Sequence, residues 1–154
     1  MWIRDRLHAG LTFGILLCAL RLIWVDFKKL EIEFETLAVL AGVAALQAWL
    51  FEDPIETAVR AFAGVAFWGA LVLASSRVMG LARYGAGDPP LIGVLAFLVA
   101  PHVLPWALLA AAFMMATCAW YAHRRGKAFM RSMYPAAPPL IAAALIVYLP
   151  IWGL

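Results

Sequence analysis

Residues 84–91 read Tyr-Gly-Ala-Gly-Asp-Pro-Pro-Leu, a glycine-rich turn that contains a single acidic residue, Asp88. The turn precedes an uncharged segment that runs from Pro89 to Ala122. An aspartate followed by proline is typical of a helix start, with Asp88 as the N-cap and Pro89 in the first helical position. A second interpretation is that Asp88 belongs to a catalytic pair of carboxylates. Its partner would then have to lie on the same side of a membrane.

The composition indicates an integral membrane protein. Of the 154 residues, 66% are hydrophobic and 14% are charged, and the mean hydropathy is +0.92. A soluble globular protein does not have this composition, and the length suits one domain, residues 1–154. The net charge of +3 does not indicate a nucleic-acid partner, because the basic residues stand in short clusters at the ends of apolar runs.

The apolar runs predict an all-α protein with about six transmembrane helices, since a spanning helix needs about 20 apolar residues. The uncharged segment after Asp88 is too long for one ordinary span, and Pro101 and Pro105 divide it into two rather short helices. The six predicted runs cover approximately residues 8–25, 34–51, 58–79, 89–100, 105–122 and 138–154.

The order of the runs relates Asp88 to a second aspartate, Asp26, which follows the first run. Two crossings separate the two residues, so they share a membrane face in either orientation. The links on that face hold eight Lys and Arg residues, and the links on the other face hold three. Because cytoplasmic links carry the excess of positive charge, we expect Asp26 and Asp88 at the cytoplasmic face.

Asp26 by itself has an ordinary interpretation as a solvated residue where a helix meets water. The two aspartates together favour a functional interpretation, because acidic residues near membrane depth are costly and tend to be functional. Two carboxylates that share a site do not both ionise easily, so one keeps a proton. That arrangement can activate water against an amide carbonyl. Asp26 and Asp88 are therefore the candidate catalytic residues.

Residues around the pair are candidates for shaping the site. Gly85 and Gly87 would allow close backbone approach beside Asp88. Glu31, Glu33 and Glu35 are typical of a solvated edge, but they could also contact a basic substrate segment. The candidates for substrate binding or loop shaping in this link are Lys28, Lys29, Glu31 and Glu33.

No metal or cofactor is predicted. No Cys, His and Asp residues have the spacing of metal ligands. Cys18 and Cys118 both fall inside apolar runs and are interpreted as small core residues.

These residues resemble the type IV prepilin peptidases, a family of membrane-embedded aspartic peptidases. The family has an aspartate at a helix end before basic residues, which is similar to Val25-Asp26-Phe27-Lys28-Lys29-Leu30 here. Its Gly-x-Gly-Asp motif is similar to residues 85–88. A third similarity is Met133-Tyr134-Pro135 with Pro138. The size resembles the short members that process Flp-type pilins of tight-adherence systems.

The resemblance implies cleavage of a prepilin leader peptide at the cytoplasmic edge of the bacterial inner membrane, by Asp26 and Asp88 and without a cofactor. The implied partners are a prepilin-type substrate and the lipid bilayer; the oligomeric state is left open. The chain departs from the family pattern in two places, with Leu30-Glu31-Ile32-Glu33 for Ile-Pro-Asn and Pro89-Pro90-Leu91 for Val-Lys-Leu. The alternative is a non-catalytic scaffold or small transporter, in which the aspartates serve as a cap or a proton or ion relay.

Overall fold

The computed structural model describes residues 2–74, 88–125 and 135–151, and these residues form six α-helices and no strand. The prediction of an all-α protein is confirmed, and the helices agree in number with the predicted apolar runs. They are α1 (Trp2–Lys29), α2 (Phe34–Phe51), α3 (Pro54–Ala74), α4 (Asp88–Val99), α5 (Val103–Arg125) and α6 (Ala137–Ile151).

Three of the described helices are long and apolar enough to cross a membrane: α1, α2 and the Val103–Trp120 part of α5. The chain is therefore an integral membrane protein. Helices α4 and α6 are also apolar, but they have only 12 and 15 residues. At the helical rise they span roughly 18 and 23 Å, less than the hydrocarbon core of about 30 Å. Three of the six described helices therefore have the length and hydropathy of a membrane span. That all six helices cross the membrane stays a prediction.

The end of α1 differs from the prediction. Asp26 was expected in a polar link, and it lies instead in the last turn of a helix that continues to Lys29. The helix ends at Leu30, whose amide donates to the Asp26 carbonyl at 2.9 Å and whose φ of 55° lies in the left-handed region. The acidic and basic residues after Val25 are compatible with helix, so charge alone did not mark the helix end.

The two short helices lie at the centre of the bundle. Helix α4 contacts α2, α3, α5 and α6, and α6 in addition contacts α1 and α5. Both helices bury side chains on several faces. This is expected of a helix that is surrounded by other helices. The core includes Leu91, Leu95 and Val99 of α4 and Ile141, Ala144 and Tyr148 of α6.

Helix α3 lies very close to α4 because glycines meet at their contact. A Cβ on Gly64 would stand 2.8 Å from the Gly93 carbonyl oxygen, too close for any side chain. A Cβ on Gly93 would stand 3.0 Å from the Trp68 Cβ. Small residues that bring helix backbones together are a usual means of association inside membranes.

The bundle has two ends, which are named here by the residues found at each. The aspartate end contains the C-terminus of α1 and the N-termini of α2, α4 and α6. The glutamate–arginine end contains the N-terminus of α3 and the C-termini of α2, α4 and α6. Contacts at each end confirm this arrangement, since Asp26 bonds to Ala137 at one end and Arg60 bonds to Leu98 at the other.

Candidate active site

Asp26 is buried at the aspartate end, with 4% of its surface exposed. It continues the buried stripe of α1, which is formed by Thr12, Ile15, Ala19 and Leu22. The spacing of three or four residues keeps this stripe on one helix face. The last turn of α1 therefore points a carboxylate inward, and the residue is not a solvated boundary aspartate.

The Asp26 carboxylate is held by the start of α6. Its Oδ2 atom accepts a hydrogen bond of 2.7 Å from the backbone N–H of Ala137, which is fully buried. The N–H of Ala136 also donates to this carboxylate. The first N–H groups of a helix have no partner within the helix, and here Asp26 provides one. The contact orients the carboxylate and joins α1 to α6.

The sequence held a signal for this contact that our interpretation missed. Pro138 and Pro139 indicate the first turn of α6, where proline is readily accommodated. Ala137 stands just before them, at a helix start, where an N–H has no acceptor within the helix and needs one from elsewhere if it is buried. The need is visible in the sequence, but the identity of the acceptor is not.

Asp88 is the first residue of α4 and is half-buried. The helix start agrees with the position predicted from Asp88 and Pro89, because proline is readily accommodated in the first turn of a helix. Pro89 itself is buried, so the first turn of α4 is packed inside the bundle. Asp88 thus stands on a helix terminus that its neighbours hold in place.

The fold brings the two aspartates together from opposite ends of a long sequence segment. Asp26 and Asp88 are close enough for their carboxyl groups to interact electrostatically. Asp26 lies in the last turn of α1, and Asp88 begins α4. The start of α6 contacts Asp26. The structure thus places two acidic residues at the same end of the bundle.

Gly85 and Gly87, predicted to shape the loop before Asp88, lie outside the described residues. The same holds for Met133 and Tyr134 of the third similarity. The described part of the site consists of the end of α1 and the starts of α4 and α6.

Among the described residues, the structure does not show the other predicted site residues in contact with Asp26 or Asp88. Lys28, Lys29 and Glu31 are exposed. The Lys28 ammonium lies 4.3 Å from the centre of the Trp24 ring, which is a cation–π contact on the surface of α1. An amphipathic aromatic residue beside a lysine is typical of the membrane interface.

Glu33 is engaged within the protein. Its two carboxylate oxygens accept hydrogen bonds of 2.7 and 2.8 Å from the Arg21 guanidinium, and the Thr36 hydroxyl also donates to it. The bonds from Arg21 and Thr36 hold the pKa of the Glu33 carboxyl well below its usual range, at about 2. Glu33 fastens the link after α1 to the body of α1.

No group of three or more His, Cys, Asp or Glu side chains able to hold a metal occurs in the described part of the chain. Cys118 is buried and Cys18 is half-buried, and both are free thiols. The ionisable groups that the described residues bring to the site are the carboxyl groups of Asp26 and Asp88.

In comparisons with protein-family models, curated proteins and solved structures, nothing matches this chain. The resemblance to prepilin peptidases therefore stays an expectation from the sequence motifs at residues 25–30 and 85–88.

Proposed function

We propose that the chain is a membrane-embedded aspartic endopeptidase that removes the leader peptide of Flp-like type IV prepilins at the cytoplasmic edge of the bacterial inner membrane. The observation that carries the proposal is that Asp26, buried in the last turn of α1, and Asp88, at the start of α4, lie near each other at one end of the bundle. Ionisable groups inside a membrane protein mark functional sites by default.

The pair would work by sharing a proton. The ionised carboxylate removes a proton from water, and the water oxygen forms a bond to the carbonyl carbon of the scissile peptide. The neutral carboxyl group gives its proton to the carbonyl oxygen. The tetrahedral intermediate then collapses and the C–N bond breaks. The amine leaves with the proton that came from water, and the proton on the former carbonyl oxygen returns to the second carboxylate, which restores the starting pair. The Ala136 and Ala137 N–H groups hold the Asp26 carboxylate in place during these steps.

A second candidate function is favoured by the Asp26–Ala137 hydrogen bond. Since Asp26 binds the start of α6, it could serve the fold alone, in a scaffold or small transporter without peptidase activity. The two candidate functions predict different effects of replacing Asp26 or Asp88 by asparagine. Asparagine keeps an oxygen that can accept from Ala137, but it cannot exchange a proton with water.

The test is co-expression with a Flp-type prepilin, whose processing is followed by its mobility on a gel. We expect processing with the wild type and none with Asp26→Asn or Asp88→Asn. Asp53→Asn is the matched control, because Asp53 is an exposed aspartate at the other end of the bundle. Undiminished processing by either Asp26→Asn or Asp88→Asn would contradict the peptidase and favour the scaffold.

A further inference from the structure

An open groove runs between α2 and α3, with α4 as its floor. Helix α2 packs mainly on α1, and α3 packs mainly on α4, so the two make few contacts with each other. The groove has a volume of about 430 Å³. Its walls are apolar, which suits an apolar occupant. The residues that define it best are Ala38, Ala41, Ala45, Val65, Trp68 and Val94.

We infer that this groove seats the apolar transmembrane helix of the substrate, with the basic flank of that helix at the groove mouth. The inference rests on the proposed function and adds to it the surface on which the substrate lies. The occupant is a partner helix, and three features of the groove argue for it.

The first feature is the small side chains of α2 that line the groove. Ala38, Ala41 and Ala45 recur at intervals of three and four residues, and they place methyl groups where larger side chains would fill the groove. A helix backbone can approach a wall of this kind closely, and such approach supplies the packing energy of helix association in membranes. The second wall, formed by α3, presents Val65 and Trp68 to the same space.

The second feature is the position of the groove. Its lining includes Pro90, two residues after Asp88, and Phe34, the first residue of α2. A helix in the groove would therefore have its cytoplasmic end beside the aspartates. From Phe34 to Ala45 the groove follows α2 for about 16 Å, roughly half the hydrocarbon thickness. The peptide bond next to such a helix would reach the site without unwinding the helix.

The third feature is charge at the mouth. Glu31 and Glu35 are exposed on either side of Glu33, next to Phe34. Neither forms an ion pair with another described residue, whereas Glu33 is bound to Arg21. Of the lysines nearby, Lys28 lies against the Trp24 ring and Lys29 acts on Glu33. Glu31 and Glu35 are therefore the carboxylates that can complement a partner with basic residues just before its apolar helix.

The experiment places the photoreactive residue p-benzoylphenylalanine at Ala38, inside the groove, or at Ala111, an exposed alanine of α5 outside it. Both variants also carry Asp26→Asn, so that a co-expressed Flp-type prepilin stays uncut. We expect crosslinks to the prepilin from position 38 and none from position 111. Crosslinks from position 38 to phospholipid alone, or to a second copy of the chain, would overturn the inference.

A companion measurement separates this inference from the proposed function. With both aspartates intact, Ala38→Trp should slow prepilin processing by about tenfold, while Ala111→Trp should leave it unchanged. Normal elution of Ala38→Trp in detergent shows that the variant is folded. Processing by the wild type without crosslinking from position 38 refutes the groove and leaves the peptidase. Crosslinking without wild-type processing refutes the peptidase and supports the groove.

Discussion

The two ends of the bundle bury acidic residues in opposite ways. At the glutamate–arginine end, Glu52 Oε2 accepts a hydrogen bond of 2.6 Å from Arg60 Nε, and both side chains are 5% exposed. At the aspartate end, Asp26 is held by backbone N–H groups and lies near a second acidic residue, Asp88. One end neutralises its buried charge, and the other gathers like charges.

The reason for the ion pair is visible in the backbone. The carbonyl oxygen of Phe97 would normally accept from the residue four positions later, but that residue is Pro101, which has no N–H. Arg60 Nη1 donates to this oxygen at 3.3 Å and to the Leu98 oxygen at 2.8 Å. Arg60 therefore completes the end of α4 while it pairs with Glu52.

The difference teaches how to tell a structural acid from a functional one. A buried carboxylate that faces a guanidinium has a partner that offsets part of its desolvation cost, so the fold accounts for its presence. A second acid nearby adds to the cost of burial, and the Asp26–Ala137 bond accounts for Asp26 but not for Asp88 beside it. The glutamate–arginine end should accordingly govern stability, and the aspartate end should govern activity.

The largest expected effect is on prepilin processing by variants of Asp26. Both Asp26→Asn and Asp26→Ala should lower the rate by roughly 10²- to 10⁴-fold, the usual contribution of a general acid or base. Only Asp26→Ala should also lower the free energy of unfolding, by about 1–3 kcal/mol, because it leaves the Ala137 N–H without an acceptor. Gel mobility and denaturant unfolding in detergent measure the two quantities. Equal loss of stability in both variants would contradict the separation of roles.

The next effect concerns stability at the opposite end. Arg60→Met should lower the free energy of unfolding by about 3–5 kcal/mol, because it leaves Glu52 buried without its partner. The double variant Arg60→Met/Glu52→Leu should recover part of this loss. Arg21→Met is the matched control, since that arginine is 62% exposed and its ion pair should contribute at most about 1 kcal/mol. Similar losses for Arg60 and Arg21 would remove the distinction between buried and exposed pairs.

A smaller effect is expected from Tyr148, whose hydroxyl donates to Gln47 Oε1 at 2.7 Å in the buried core. Tyr148→Phe should lower the free energy of unfolding by about 1–3 kcal/mol, because the Gln47 oxygen loses its donor. Thr117→Val is the control: its hydroxyl donates to the Phe113 carbonyl within the same helix, which leaves no long-range contact to lose. Unfolding in detergent compares the two variants. A larger loss from Thr117→Val would show that the network with Gln47 contributes little.

The smallest effect is a pH dependence at the aspartate end. The pKa of Glu33 is lowered from its usual value of 4.5 to about 2. A lowered pKa means that the folded state favours the ionised form, so its stabilisation is present above about pH 4.5 and is lost as the pH falls towards 2. The melting temperature at pH 6 and pH 3 should thus differ less in Glu33→Gln than in the wild type. Glu31→Gln, which changes an exposed carboxylate in the same link, should keep the wild-type difference.

Much of the fold follows from local patterns. Hydropathy predicts the all-α class and the bounds of α2, since both depend on residues that are neighbours in sequence. The start of α4 at Asp88 was predicted from Pro89, which directly follows it and suits the first turn of a helix. The inward direction of Asp26 was also available, because Asp26 continues the stripe of Ile15, Ala19 and Leu22 at helical spacing. It was missed because the charged residues after Val25 were interpreted as a link.

The candidate site combines local and distant information. Counting apolar runs predicts that Asp26 and Asp88 share a membrane face, and this prediction needs no contact between helices. That Asp26 binds Ala137, that Asp88 lies within its electrostatic range, and that Arg60 completes α4 were decided only by the tertiary structure. The physical reason is that periodicity and turn chemistry act between neighbours, whereas these contacts join residues whose meeting depends on how the helices pack. The sequence determined which groups were buried and charged, and the packing of α1, α4 and α6 determined which of them met.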